Sequence, residues 1–243
     1  DVWRGFTMEW YLNVFNAVGD GSAKSSATLM ESLRNSLFIG VVATAIATVL
    51  GTTLALSMAR SKFPGKKIVD SVLLLPMVIP EITQGISLAI FFKIIFDYMQ
   101  NSTGQNWLPG FGTIIIGHVA FNISYVAIVV RASIEGLSKH YEEAAYDLGA
   151  DYWRAFWRVT FPLILPGIIG GALLAFTLSL DDYLVTFYNK GVGSGTLPIY
   201  VYGMLKTSVS PEVNALSTMM LAVSTVLVGF SLWLQGRNGA RAD

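Results

Sequence analysis

The chain has 243 residues, of which 53% are hydrophobic and 13% charged, and its formal net charge is zero. So apolar a composition excludes an ordinary soluble domain and predicts an all-α polytopic membrane protein. The neutral charge balance gives no basic surface for nucleic acid, and the absence of cysteine excludes disulfides and thiolate chemistry.

The first span follows a mixed, polar N-terminal stretch, residues 1–34. Residues 35–59 carry no formal charge, and these 25 residues are enough for a helix that crosses a bilayer. Small residues recur at every fourth position along this span, including Ala47, Gly51 and Ala55. This spacing predicts one face on which another helix approaches closely.

The second span, residues 68–95, is apolar but interrupted by Pro76 and by Pro80-Glu81. Proline removes a backbone donor, and broken helices at membrane depth are tolerated where they face protein or a water-filled cavity. Glu81 follows proline as it would at the start of a new helix, where the helix dipole favours an anion. A place in a solute path is the alternative for this carboxylate, and the sequence leaves both open.

The third and fifth spans are residues 113–130 and 213–234. The third span carries His118 and Asn122 four residues apart, hence on one helix face, where we expect hydrogen bonds to a neighbouring helix. The fifth span has no formal charge and is followed by a short tail, residues 236–243, which ends the transmembrane domain of residues 35–235.

The fourth span, residues 163–185, repeats the spacing of small residues seen in the first. Gly167, Gly171 and Ala175 lie four residues apart. Because close helix approach needs small residues on both partners, we expect the first and fourth spans to pack tightly on each other.

Two carboxylates stand at the end of the fourth span, in the sequence Asp181-Asp182-Tyr183. An ionisable residue within a span is a functional candidate, since burying it unpaired is costly. At about 100° per residue, Asp182 falls near the packed face of the helix and Asp181 points away from it. The alternative is that both lie at the outer mouth and pair with a lysine or arginine of a neighbouring subunit.

Between the third and fourth spans lies the longest polar loop, residues 132–162. Residues 139–148 are predicted to form a short helix that Gly149 ends, because glycine accepts the left-handed backbone of a helix stop. Asp151 can cap a second short helix, which Pro162 terminates or turns. A bent, amphipathic helix pair of this kind indicates a protein partner.

The distribution of basic residues predicts the orientation of the chain. Cytoplasmic loops are enriched in lysine and arginine, and ten of the sixteen lie on the side of the polar loop. Loop 132–162 and the C terminus are therefore predicted to be cytoplasmic. Five spans then place residues 1–34 outside, and we expect a sixth span N-terminal to residue 1. The ten residues are Arg60, Lys62, Lys66, Lys67, Arg131, Lys139, Arg154, Arg158, Arg237 and Arg241.

The chain has no sequence pattern for chemistry of its own. It contains no Gly-x4-Gly-Lys-Ser/Thr phosphate loop and no Gly-x-Ser-x-Gly elbow. Two histidines and no cysteine do not supply the ligand set typical of a zinc site. We therefore expect a transport subunit that is not an enzyme, with no cofactor and no metal, and with its energy supplied by another protein.

The polar loop resembles the cytoplasmic EAA loop of ABC importer permeases, in which Glu-Ala-Ala is followed by glycine and then by Ile-x-Leu-Pro. Here Glu143-Ala144-Ala145 is followed by Gly149 and by Val159-x-Phe161-Pro162, with valine and phenylalanine in the usual isoleucine and leucine positions. The resemblance implies an ABC importer type I permease-like helical bundle whose loop docks into an ATPase subunit. The coupling residues that it implies are Glu143, Ala144, Ala145, Asp147 and Gly149.

Further stretches, Thr177 to Asp182 and Val209 to Leu216, are similar to the spermidine/putrescine permeases. A path for such polycations needs carboxylates that replace water and aromatic faces that hold ammonium groups. The side chains of these types are Glu81, Asp181, Asp182 and Tyr183.

The resemblance also implies the setting in which the chain works. It implies a multi-pass protein of the bacterial plasma (inner) membrane that works with an ABC ATPase dimer, a second homologous permease and a periplasmic or extracellular polyamine-binding protein. Three other hypotheses stay open. The chain could be a permease for another small solute, a self-sufficient channel or secondary transporter, or an intramembrane enzyme. A docking loop argues against a lone channel, and the missing nucleophile and metal ligands argue against an enzyme.

Overall fold

The computed structural model describes residues 7–20, 24–60, 63–207 and 211–239, without the side chains of 15–20, 24–27, 207, 211–213 and 234–239. Residues 1–6 of the N-terminal stretch, Lys62, Val209, Ser210 and the last four residues of the tail lie outside this description, as does the predicted sixth span. In chain order the helices are α1 (Glu9–Asp20), α2 (Lys24–Arg60), α3 (Lys66–Val78), α4 (Glu81–Thr103), α5 (Phe111–Glu135), α6 (His140–Asp147), α7 (Tyr152–Ala155), a π-helical segment (Phe156–Thr160), α8 (Phe161–Asp181), α9 (Leu184–Asn189), α10 (Leu197–Thr207) and α11 (Pro211–Gly239).

Five of the described helices are long and apolar enough to cross a membrane, which confirms the all-α fold class and the five spans. Their mean hydropathy lies between 1.4 and 2.1, as expected of segments that cross hydrocarbon. The five are Thr28–Arg60, Glu81–Thr103, Phe111–Glu135, Tyr152–Asp181 and Asn214–Trp233.

The helix break predicted in the second span lies at Ile79 and Pro80. Ile79 has an extended backbone, with φ −71° and ψ 129°, because a residue before proline is disfavoured in the helical region. Pro76 stays inside α3 and does not break it. The spanning helix is therefore α4, which begins at Glu81 and ends eight residues beyond the predicted boundary at residue 95.

The chain forms two compact units, each assembled from three stretches. Unit 1 contains residues 1–40, 81–117 and 180–225. Its core joins Val14 and Leu29 to Leu197, Ala215 and Leu216.

Helix α9 is fixed within unit 1 by polar contacts to two other helices. Asn189 Nδ2 donates to the Gly85 carbonyl on α4 at 3.1 Å, and Thr113 Oγ1 on α5 donates to the Asn189 carbonyl at 2.7 Å. A Cβ on Gly85 would lie 3.0 Å from the Leu184 carbonyl, so α4 and α9 pack at backbone distance. These contacts position the residues that follow Asp181.

Unit 2 contains residues 41–80, 118–179 and 226–243, and α5 runs through its core. The small-residue stripes both approach this helix. A Cβ on Gly51 would lie 2.8 Å from Val126 Cβ, and one on Gly171 would lie 3.4 Å from Val126 Cα. A Cβ on Gly167 would collide with Ser133, also on α5.

At their glycines the two stripes thus pack on α5. The expected packing of the first and fourth spans on each other stays a prediction. Ala47, Ala55 and Ala175 are fully or almost fully buried, so the stripes do mark packed faces. Spacing identifies such a face but not the helix that covers it.

The polar pair on α5 is buried, and Asn122 forms the predicted hydrogen bond to a neighbouring helix. His118 and Asn122 are both fully buried, and Asn122 Nδ2 donates to Ser179 Oγ on α8 at 2.8 Å. An interhelical hydrogen bond of this kind satisfies a polar group that would be costly to bury alone.

Candidate coupling loop and cation path

The loop between α5 and α8 folds as two short helices joined at Gly149. This glycine has φ +83°, and its N–H donates to the Tyr146 carbonyl at 2.9 Å, so it ends α6 as predicted. Asp151 then caps α7, because its Oδ1 accepts from the Arg154 N–H at 2.7 Å.

The predicted stop at Pro162 is wrong. Residues Phe156–Thr160 form a π-helical turn that leads directly into α8, and Pro162 lies in the first turn of α8. Its missing N–H is tolerated there because the register of backbone bonds changes at the π turn. As a result α7, the π-helical segment and α8 form one continuous spanning helix, Tyr152–Asp181.

The outer surface of α6 is exposed. Glu143 has a side chain 63% exposed, and its Oε2 lies 2.9 Å from His140 Nδ1 one turn earlier. Ala144 and Asp147 are exposed, whereas Ala145 is buried. The structure therefore separates the predicted coupling residues into an exposed set and one residue that anchors the helix.

Glu142, which was not predicted as a site residue, points inward. Arg60 Nη1 at the end of α2 donates to its Oε2, and Thr160 Oγ1 in the π-helical segment donates to its Oε1. Burial alone would raise the pKa of the Glu142 carboxyl, but the hydrogen bonds from Arg60 and Thr160 and the charge of Arg60 hold that pKa below its ordinary value. Glu142 is thus an anion in the folded chain.

The two carboxylates at the end of α8 have different environments. Asp182 is buried, and its Oδ2 accepts from both the backbone N–H and the Oγ1 of Thr186, each at 2.8 Å. Its Oδ1 accepts from the Val185 N–H at 3.2 Å. Asp182 therefore satisfies the free N–H groups at the start of α9, which is the role of a helix cap.

Asp181 is exposed and accepts a hydrogen bond from Ser224 Oγ on α11 at 2.9 Å. It borders a cavity of about 320 Å³ whose other lining is almost entirely aliphatic, including Leu180, Leu216 and Met220. The predicted directions of the two carboxylates, Asp182 inward and Asp181 away from the packed face, agree with this arrangement.

Tyr183 belongs to an aromatic cluster in unit 1. Its ring centroid lies 4.6 Å from that of Tyr202 on α10 and 5.4 Å from that of Phe187 on α9. Lys206 Nζ lies 5.5 Å from the Tyr202 centroid, within the range of a cation–π contact. Tyr202 and Lys206 were not predicted as site residues, because nothing in their local sequence places them beside Tyr183.

Glu81 is exposed at the first position of α4. The structure gives its carboxylate no hydrogen bond or ion pair among the described residues. Both interpretations of Glu81, as a favourable charge at a helix start and as a group in a solute path, fit this placement.

Comparison with known proteins identifies the family of this architecture. The family model of the binding-protein-dependent transport system inner membrane component matches residues 47–242, most of the chain. The chain belongs to this family. Together with the five apolar helices, this makes it a multi-pass inner membrane protein.

Relatives of this chain are named as permease proteins of transport systems. The chain is 33% identical to the spermidine/putrescine transport system permease protein PotC of Haemophilus influenzae, over 97% of this chain and 84% of that protein. It is 35% identical to the putrescine transport system permease protein PotI of Escherichia coli K12, over 96% of this chain and 78% of that protein.

A solved structure supports the fold. The crystal structure of a bacterial ABC transporter involved in the import of the acidic polysaccharide alginate superposes with a TM-score of 0.71. It is 18% identical in sequence and covers 97% of this chain and 84% of that one. The family member described here thus has the helical arrangement of an ABC importer membrane subunit.

Proposed function

We propose that this chain is the permease subunit of an ATP-driven importer and forms part of a membrane pathway for polyamines such as spermidine and putrescine. The names of relatives that are 33–35% identical over nearly the whole chain support the solute class. The observation that carries the proposal within the chain itself is the exposed carboxylate of Asp181 beside an aliphatic cavity.

The chemistry of that cavity suits a polyamine. Such a molecule has ammonium groups separated by methylene chains, and it needs a carboxylate for the charge and apolar surface for the chain. Within the part of the chain that the structure describes, Asp181 accepts a single hydrogen bond, from Ser224, so oxygen lone pairs are left for an ammonium group. In a low-dielectric surrounding that attraction is stronger than in water.

Of the other predicted path residues, Tyr183 and Glu81 stay in the proposal with separate roles. Tyr183 and Tyr202 offer aromatic faces to an ammonium group, as the position of Lys206 illustrates. Glu81 offers a second exposed carboxylate. Asp182 is reassigned as the cap that holds α9, because its oxygens already bind Thr186 and Val185.

The energy comes from a separate ABC ATPase dimer in this proposal. The exposed face of α6, with Glu143, Ala144 and Asp147, docks on an ATPase subunit, and Gly149 sets the angle at which α7 leaves it. Loop 132–162 and the tail 236–243 lie in the cytoplasm and residues 1–34 lie outside, in agreement with the distribution of basic residues. A second homologous permease completes the path, and a polyamine-binding protein delivers the solute from outside.

Reconstitution of the assembled transporter tests this proposal. The complex of permease chains and ATPase is placed in proteoliposomes with the ATPase facing the medium, and labelled putrescine or spermidine and the binding protein are enclosed. We expect transport of label out of the lumen that requires both ATP and the binding protein.

Three results would contradict parts of the proposal. Exchange of polyamine by the isolated chain without ATP would favour a self-sufficient channel or secondary transporter. ATP-driven transport of another solute only would keep the importer and overturn the polyamine assignment. Failure of the chain to associate with any ATPase would overturn the importer itself.

A further inference from the structure

One partly buried polar contact in unit 2 joins three helical segments of the chain. Glu142 lies in the first turn of α6, Arg60 ends α2, and Thr160 ends the π-helical segment that leads into α8. Each oxygen of the Glu142 carboxylate is used by a different element, Oε2 by Arg60 and Oε1 by Thr160. We define these three residues as the α6 latch.

The latch is partly shielded from water. The side chains of Glu142 and Arg60 are 14% and 35% exposed, and Thr160 is 3% exposed. Charge-assisted hydrogen bonds in such surroundings are stronger than those on an open surface, and removal of one partner leaves the other charge unsatisfied. Loss of this contact should therefore destabilise the folded chain.

Little else attaches α6 through its side chains. Within the described part of the chain, Glu142 makes the only side-chain hydrogen bonds that join α6 to another helix. Ala145 is its only buried residue, and the pair of His140 and Glu143 lies within the helix and is exposed. A cavity of about 250 Å³ lies beside α6 and is bordered by Leu56, Tyr146 and the latch.

We propose that the α6 latch makes the coupling helix move together with the cytoplasmic ends of two spans. Force received by α6 then reaches α2 through Arg60 and α8 through Thr160, instead of bending the loop alone. Arg60, Glu142 and Thr160 act as positioning residues, and none of them has to touch the solute or the ATPase. The inference rests on the proposed function, because it presumes that α6 receives force from an ATPase.

The π-helical segment strengthens this inference. Thr160 reaches Glu142 from the last position of the π turn, whose extra residue changes the helix register. Such turns are frequently found at functional sites. Here the turn brings a buried hydroxyl beside Glu142 while α7 and α8 stay one continuous helix.

The experiment measures coupling, which a purely structural contact would leave unchanged. In the complete transporter in proteoliposomes, ATP hydrolysed per labelled putrescine moved is compared for wild type, Glu142→Gln, Arg60→Glu and the double variant Arg60→Glu/Glu142→Arg. The matched control is Asp97→Asn, which breaks an exposed ion pair with Lys93 inside α4.

We expect each single latch variant to raise the ATP hydrolysed per putrescine at least about threefold, while the complex still purifies with its ATPase. The charge-swapped double variant should return the ratio to within about twofold of wild type, and Asp97→Asn should not change it. A wild-type ratio in both single variants would overturn the latch. So would single variants that uncouple without any recovery in the double variant.

Failure of the latch is separable from failure of the proposed function. If the wild-type complex moves putrescine with ATP, and the latch variants hydrolyse as much ATP per putrescine as wild type does, the latch is wrong and the importer stands. If the wild-type complex shows no ATP-driven transport of any solute, the proposed function itself is wrong.

Discussion

Thr186 binds Asp182 twice, since its backbone N–H and its Oγ1 both donate to Asp182 Oδ2 at 2.8 Å. The relationship separates two adjacent carboxylates that look equivalent in sequence. Both oxygens of Asp182 accept from residues of α9, whereas among the described residues Asp181 accepts a hydrogen bond from Ser224 alone. A structural role and a solute role can therefore be tested one residue apart.

Replacement of Asp182 by alanine should destabilise the permease. The loss of a cap costs about 1–2 kcal/mol, and burial of the unsatisfied α9 donors adds to this cost. We expect a lower melting temperature of the purified chain in detergent and a smaller effect of the same sign for Thr186→Val. Unchanged stability in Asp182→Ala would contradict the capping role.

Replacement of Asp181 by asparagine should impair transport and leave stability unchanged. The asparagine oxygen can still accept from Ser224, but it has no charge to attract an ammonium group. We expect ATP-driven putrescine transport to fall at least about tenfold, with a melting temperature equal to that of wild type. Asp97→Asn serves as the control, and normal transport in Asp181→Asn would remove this carboxylate from the path.

Gly149→Ala isolates the backbone requirement at the end of α6. A new Cβ at residue 149 meets no atom within 4 Å, so the cost comes from φ +83° and is about 1 kcal/mol. Gly110→Ala is the matched control, because its Cβ also meets nothing but its φ is ordinary. We expect reduced coupling of ATP hydrolysis to transport in Gly149→Ala alone. Equal behaviour of the two variants would contradict this.

The lowered pKa of the Glu142 carboxyl predicts that the stability of the fold depends on pH. Its pKa in the folded chain is lowered, so its stabilising contribution is present above the unfolded pKa and is lost as the pH falls through the folded pKa. The melting temperature of wild type should exceed that of Glu142→Gln near neutral pH, and the gap should close in acid. A gap that does not change with pH would contradict the charged state assigned to Glu142.

Much of the fold follows from local sequence. The five spans depend on long uncharged runs, and the ends of the loop helices depend on Gly149 and Asp151, whose effects act within one turn. The helix break before Glu81 follows from Pro80 in the same way. These features were predictable because each cause lies beside its effect in the chain.

The rest depends on contacts between distant segments. Adjacent residues on a helix point about 100° apart, and only the fold shows that Glu142 faces Arg60, 82 positions earlier, while Glu143 faces outward. The helix continues through Pro162 by way of a π turn, and no residue pattern in the sequence predicts that turn. The contact of both glycine stripes with α5 could not be predicted, because the spacing of small residues does not show which helix they meet.

The measurement that tests the central claim most directly is a cross-link from α6. Because residues 1–243 contain no cysteine, Ala144→Cys introduces a single thiol among them, on the exposed face of α6. In inverted membrane vesicles that contain the assembled complex, a short thiol-reactive cross-linker should join this thiol to the ATPase subunit. The yield of the cross-linked product should change when ATP is added. Labelling of the introduced thiol only from the periplasmic side, or a complex in which it never cross-links to the ATPase, would contradict the account.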